Sequence, residues 1–234
     1  MNQQDIVDRI AARCVESANT WPWLTGKLTV GMAQAWMIQH SIRNRQFSAS
    51  YRPAWMSRCP DQAIVRRTIS QMGEELVYDP AIGAAHTKIL WQMGRNVGLA
   101  DAQMDATQPE PETAAALALL EHLARDWHWT VGWLGSSIDE FVLTALPGHN
   151  FHPDRWIEHL GLTEEQVFFF RYHLSADLEH AGVKVWRPME PWLTADVEAQ
   201  IRRGLPLILE AQRLFYAGVE RQAARLAAGV APAP

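Results

Sequence analysis

The chain has 234 residues, enough for one large domain, and its 21 Lys and Arg against 26 Asp and Glu leave a net charge of -5. That balance speaks against a nucleic-acid or anionic-membrane surface, and no apolar run reaches the roughly 18 residues of a membrane span. The opening MNQQDIVDRIAARCVESA lacks the apolar stretch of a signal peptide, and the two cysteines, Cys14 and Cys59, form no metal or redox spacing. The expectation is a cytoplasmic protein, a single domain over residues 1–234.

In chain order, nearly every periodic segment has helical spacing. Residues 3–18 predict a first helix with Ile6, Ile10 and Val15 on its apolar side, broken by Trp21-Pro22-Trp23. KLTVGMAQAWMIQHSIRNRQFSASY predicts a long second helix with Thr29 as its N-cap, and Pro53 and Pro60 bracket a turn. A third helix runs from Pro60-Asp61 to about Leu76, interrupted at Asp79-Pro80 and Gly83, and a fourth from about Ala84 to Val97, before Gly98. ATQPEPETAA reads as the one clear linker, with Thr113 placed to cap a long helix from Ala114 to Leu146. Two more span Thr163–Val185 and Thr194–Leu226, and AAGVAPAP reads as a frayed tail. The prediction is an all-α bundle of about seven helices.

Eleven tryptophans against four tyrosines imply either an aromatic-rich core or an enclosed apolar pocket lined by several of them. Trp21, Trp23, Trp36, Trp127, Trp129 and Trp133 fall on different helices, which either reading allows. For a pocket, the second and fifth helices offer Trp36, His40, Trp129 and Trp133. His40 and His128 read as ordinary polar residues rather than ligands.

The stretch HLSADLEHAG sets His173, Asp177 and His180 at offsets of four and seven. At about 100° per residue, all three leave one helical face. Two imidazoles and a carboxylate suit iron, manganese or zinc, although a solvated face explains them equally well if the preceding phenylalanines point elsewhere. One helix cannot complete a metal shell. QMGEELVYDPAIGAAHTKILW adds Glu74, Glu75 and His86, and GWLGSSIDEFVLTAL adds Asp139 and Glu140 in an otherwise apolar stretch. Buried carboxylates are costly without partners, and nearby cations would account for them; a helix end or a half-exposed helix face would also do so. A Glu-x-x-His repeat, usual in bundle diiron sites, is absent.

The order of Glu, then His before TKILWQMGRNVGL, then Glu, then HLSADLEH resembles the haem-oxygenase-like diiron oxidases over about residues 20–185. The resemblance implies a seven-helix haem-oxygenase-like bundle, shared with thiaminase II and pyrroloquinoline quinone synthase, and a homodimer. It also implies six metal ligands: Glu75, His86, Glu140, His173, Asp177 and His180. Glu74 and Asp139 are the alternatives within the two acidic pairs. Two iron ions, or manganese, would use O2 as co-substrate to oxidise a small amino-acid-derived or carboxylate substrate in specialised metabolism. Arg171, beside His173, is a weak candidate for meeting a substrate carboxylate.

A second resemblance runs through WPWLTGKLTVGMAQAWMIQH, SRCPDQAIVRR and DLEHAG, which look similar to the metal-free pyrroloquinoline quinone synthases. Their basic anion-holding set is thin here, so the metal reading ranks first. Thiaminase-like chemistry through a cysteine lacks a base at a readable spacing. A non-catalytic helical binding module completes the alternatives.

Overall fold

A computed structural model describes residues 3–105, 108–145, 148–180 and 183–229; the side chains of 3–5, 139, 143–145, 175–180 and 183–184 stand outside that description. The described residues form thirteen α-helical segments and no strand, beyond an isolated bridge from Asp79 to Ala84. The all-α class is therefore as expected, whereas the helices are shorter and more numerous than seven.

α1 (Gln3–Ala18) and α2 (Pro22–Thr25) lead into α3 (Val30–Gln46), whose N-terminus is capped by Thr29 accepting from the Met32 N–H. α3 does not stop at a turn before Pro53. It widens into a π-helical stretch, Phe47–Tyr51, and continues as α4 (Arg52–Met56). Pro53 lacks an amide hydrogen and its ring crowds the preceding turn. The wider turn, closed by the Arg52 N–H on the Phe47 carbonyl, keeps the chain helical through that position.

α5 (Gln62–Leu76) starts at Asp61, which accepts from the Ala63 and Ile64 N–H groups, and α6 (His86–Asn96) and the short α7 (Asp101–Met104) follow. The long helix expected from Ala114 is two helices, α8 (Pro111–Asp126) and α9 (Trp129–Ala145). Distant side chains hold the break. The Trp127 and Ala124 carbonyls accept from Arg58, and the His128 N–H donates to Gln200 at 2.8 Å. Thr113 is not the cap of α8; Glu110 takes that position and Thr113 is buried one turn in.

α10 (Pro153–Leu160) was not expected, although Pro153 opens it and Gly161, at φ 70°, ends it. The segment expected as one helix from Thr163 is α11 (Phe168–His180) and α12 (Val183–Trp186), followed by a 3₁₀ stretch, Arg187–Trp192. The 33-residue α13 (Ala195–Ala227) packs along α8 and α3 and gives the bundle its spine.

The core is a continuous cluster in which Trp21, Trp23, Trp36, Trp55, Trp156 and Trp186 are fully buried. Most tryptophans are thus packing residues: Trp23 stacks on Trp36 and Tyr216, and Trp129 on Trp133. No helix among the described residues is long and apolar enough to cross a membrane.

α13 approaches α8 closely at Gly218. A Cβ there would sit 2.9 Å from the Thr113 backbone nitrogen and against its side chain. Gly218→Ala should therefore destabilise the protein by about 1–3 kcal/mol, read as a lower Tm by circular dichroism. An unchanged Tm would mean that the two helices do not pack this closely.

Candidate metal centre

The segment between α5 and α6 organises the site. Asp79, 4% exposed, donates its backbone N–H to the Ala84 carbonyl at 3.0 Å, and its Oδ1 accepts from the Ala81 N–H at 2.8 Å. This loop delivers His86 as the first residue of α6, where its Nε2–H donates to Asp79 Oδ2 at 2.8 Å. Tyr172 on α11 donates to the same oxygen at 2.5 Å. Burial alone would raise the Asp79 pKa, but the hydrogen bonds from Tyr172, His86 and Ala81 outweigh it and hold the carboxyl below its ordinary value.

With Nε2 committed to Asp79, His86 turns Nδ1 toward Glu75. That atom is buried, has no hydrogen-bond partner among the described residues, and stands 4.0 Å from Glu75 Oε1. His173 closes the corner from α11, its ring T-shaped against His86 at 4.8 Å between centroids. The Nδ1–H of His173 donates to the Phe169 carbonyl at 2.7 Å, leaving Nε2 as its acceptor nitrogen. Burial lowers the His173 pKa, so the neutral, ligating form is favoured even though Glu75 opposes the shift.

Glu75, His86 and His173 thus each offer a donor atom within 4.8 Å of the others, and Glu74, Asp79 and His86 form an overlapping set. A cation bound at about 2.1 Å to each donor brings such atoms roughly 3–4 Å apart, and it would satisfy the orphaned His86 nitrogen. Imidazoles oriented by a carboxylate and a carbonyl on their far side are how proteins preset metal ligands. The residues fit a borderline cation such as ferrous iron.

Glu140 on α9 faces the same cavity without joining either set. It accepts from Gln71 and has Arg52 at 3.9 Å. Burial pushes its carboxyl up to about 7, with Arg52 pulling it down and Glu75 pushing it further up. The cavity itself holds about 230 Å³ and takes in His40, Arg43 and Arg52 beside the acidic corner. Of the tryptophans suggested for it, Trp36 and Trp133 line it, while Trp129 packs elsewhere, against Trp192 and Trp133.

The sequence reading therefore has three of its six residues, Glu75, His86 and His173, in one corner and Glu140 nearby. The Asp177 and His180 side chains, and Asp139, lie outside the described residues. Glu75 Oε1 stands 4.0 Å from His86 Nδ1, while Glu74, which accepts from Ser70 at 3.3 Å, belongs to the second cluster with Asp79 and His86. Arg171 turns away, pairing with Asp154 and Glu164 on the surface. Asp79 was missed, since its neighbour Pro80 marks a break and hides a role; its spacing of seven from His86 carries no recognisable signal without the loop. His128 is a helix-start residue whose Nδ1 lies 3.0 Å from Thr130 Oγ1.

The family model described as that of iron-containing redox enzymes matches residues 34–213, most of the chain. The chain belongs to the iron-containing redox enzyme family. Its fold is similar to that of a domain of unknown function from Shewanella denitrificans OS217 with a heme oxygenase-like fold. The TM-score is 0.64 at 14% identity, over 100% of this chain and 98% of that one. It is also similar to a TenA homolog from Pseudomonas syringae pv. tomato DC3000, at TM-score 0.59 and 12% identity, over 94% and 91% of the two chains. No curated protein matches the sequence.

A pH dependence follows from Glu140. Its folded-state pKa, near 7, exceeds the ordinary 4.5, so the folded state holds the proton more tightly. The contribution to stability is fully present below the ordinary value and is lost as pH rises through about 7. In chelator-treated protein, Glu140→Gln should remove that loss, leaving the variant about 1–3 kcal/mol more stable than the parent on the alkaline side. Parallel Tm-against-pH curves for the two proteins would refute the assignment.

Proposed function

We propose that this chain is a non-haem iron oxidoreductase that uses O2 to oxidise a small organic substrate, with up to two iron ions held in the cavity. One observation carries the reading. Two imidazoles, His86 buried and His173 half-buried, each have one nitrogen occupied by a protein hydrogen bond, and both offer a donor atom in a cluster with Glu75. A structural histidine pair would be expected to use both nitrogens.

Glu75, His86 and His173 would hold one ion. Glu140, with Asp177 and His180 from the resemblance, would serve a second. Ferrous iron, when bound, supplies electrons and open coordination positions for O2. The chain's own groups do the rest. Asp79 holds His86 in the tautomer that ligates, and the Phe169 carbonyl does the same for His173. The Glu140 carboxyl binds a proton where no cation is present and gives it up to one, since metal and proton compete for the same oxygens. Phe169, Phe170, Trp36 and Trp133 give the cavity its apolar lining.

Two other readings have weaker support. Nucleophilic chemistry of the thiaminase kind needs a thiolate, yet Cys14 and Cys59 are both buried away from the cavity, and burial pushes the Cys14 thiol up to about 12. Metal-free oxidation of an anionic substrate is favoured by the arginines of the cavity, and it predicts activity that survives chelators.

Anaerobic reconstitution with ferrous iron should give protein that retains iron through desalting and consumes O2. His173→Ala should lose at least one ion per chain with unchanged helical circular dichroism, whereas Arg171→Ala should bind like the parent. If His173→Ala retained the parent's iron, the centre would lie elsewhere. Chelator-resistant turnover would favour the metal-free reading.

A further inference from the structure

Tryptophan packs much of this core, but three of the eleven form a line that leaves it. Trp129 and Trp133 lie one turn apart on α9 and stack with ring centroids 5.9 Å apart. Trp192, the last residue of the 3₁₀ stretch, meets Trp129 edge-on at 6.0 Å. One end of the line is the cavity, whose wall includes Trp133. Glu140 follows Trp133 by seven residues on the same face of α9, about 10 Å along its axis. The other end is the surface. Trp192 is half-buried, and its indole N–H donates to the Asp61 carboxylate at 3.4 Å.

The surroundings of the three rings give the line a direction. A ring that loses an electron becomes positively charged, and an unpaired charge is costly to bury. Trp133 is buried, and so is Trp129, whose Nε1 has no hydrogen-bond partner among the described residues. Trp192 instead has solvent on one side and Asp61 on the other. The Ile64 N–H, then the Ala63 N–H and the Trp192 indole, hold the Asp61 carboxyl below its ordinary value, so it is ionised. A positive charge is therefore better accommodated at Trp192 than at either ring behind it.

A second aromatic run starts from the cavity and ends inside the core. It passes from Trp36 to Trp23 at 5.8 Å, to Tyr216 at 5.4 Å and to Trp21 at 5.2 Å, and the Trp21 ring is fully buried. Trp55, 6.5 Å from Trp133, is fully buried as well. A charge on either branch would sit in apolar surroundings, so the line through Trp129 is the favoured way out.

We propose that Trp133, Trp129 and Trp192 form an electron-transfer line that drains oxidising equivalents from the cavity to the protein surface. The need for such a drain rests on the iron reading above; the line itself does not. Trp133 gives up one electron to a one-electron oxidant formed from iron and O2 in the absence of substrate. Trp129 refills Trp133, and Trp192 refills Trp129. The net change is one electron gained by the oxidant and one lost by Trp192. No bond forms or breaks in the line, and the positive charge comes to rest against Asp61. A soluble one-electron reductant, of the thiol or ascorbate class, then restores Trp192. The line spares His86 and His173, which would otherwise be the nearest oxidisable groups.

The test has one arm without iron and one with it. In chelator-treated protein, Ser70→Cys at the exposed rim of the cavity carries a ruthenium polypyridyl photo-oxidant; both native cysteines are buried. After an anaerobic flash with a sacrificial electron acceptor, transient absorption should show an indole radical, and peptide mapping by mass spectrometry should find oxidation at Trp192. Trp129→Phe interrupts the line and should lose the Trp192 product, leaving oxidation on Trp133. Trp192→Phe, at the half-buried end, tests the outlet should the buried substitution disturb folding, and it should leave oxidation on Trp129 and Trp133. Trp91→Phe, half-buried on α6, should match the parent. In the second arm, ferrous protein meets O2 without substrate and is mapped in the same way, with Trp192 as the expected site.

Oxidation at Trp192 that survives Trp129→Phe would overturn the proposal, as would photo-oxidation in the parent that never reaches Trp192. Oxidation confined to cavity residues in both arms would overturn the line and leave the iron reading intact. Photo-oxidation that reaches Trp192 through Trp129, with no oxidation anywhere in the ferrous arm, would uphold the line and remove the iron reading.

Discussion

Asp79 is the constraint on which the site depends. One buried carboxylate accepts from the Ala81 backbone, from Tyr172 on α11 and from His86 on α6, while its own N–H closes the loop onto Ala84. A carboxylate can accept several such bonds at once, and a buried one must do so to remain ionised. The result is that a loop, two helices and a ring tautomer are tied to one side chain. His86 can offer Nδ1 toward Glu75 only because its other nitrogen is engaged.

The rest of the cavity is a solution to buried charge. Glu74 and Glu75 on α5 and Glu140 on α9 share the cavity with Arg43 on α3, Arg52 on α4 and Arg67 on α5, and Arg52 lies 3.9 Å from Glu140. Neither set is cheaply buried. Aromatic rings and neutral amides offset part of the penalty at Arg43, and the raised Glu140 pKa shows that part of it persists on the acidic side. Trp36 and Trp133, packed in the core cluster, form part of the cavity's lining.

Much of this was legible in the chain. Helical periodicity, prolines between runs and the Thr29 and Asp61 caps yield the all-α class and most helix starts, because these are local backbone effects. Pro153 and Gly161 carried the signature of α10 as well, in a segment too short for periodicity to declare it. The division of α8 from α9 had no local sign: Arg58 and Gln200 satisfy the broken turn from other helices. Pro53 misled in the other direction, since a π-helical turn absorbs what looked like a stop.

For the site, the sequence by itself determined which chemistry was available: imidazoles and carboxylates placed in apolar helices, at spacings that share a face. Those are properties of residue type and of a 3.6-residue period. Only the tertiary structure decided which of them meet. Glu75 meets His86 and His173 while Glu74 joins Asp79 and His86, Arg171 leaves for the surface, and Asp79, beside a proline, becomes the anchor. The gathering of Arg43 and Arg52 on one wall depends on a π-helical turn that shifts the register between them. Contacts between helices are set by packing across the bundle, and no spacing along one chain segment encodes them.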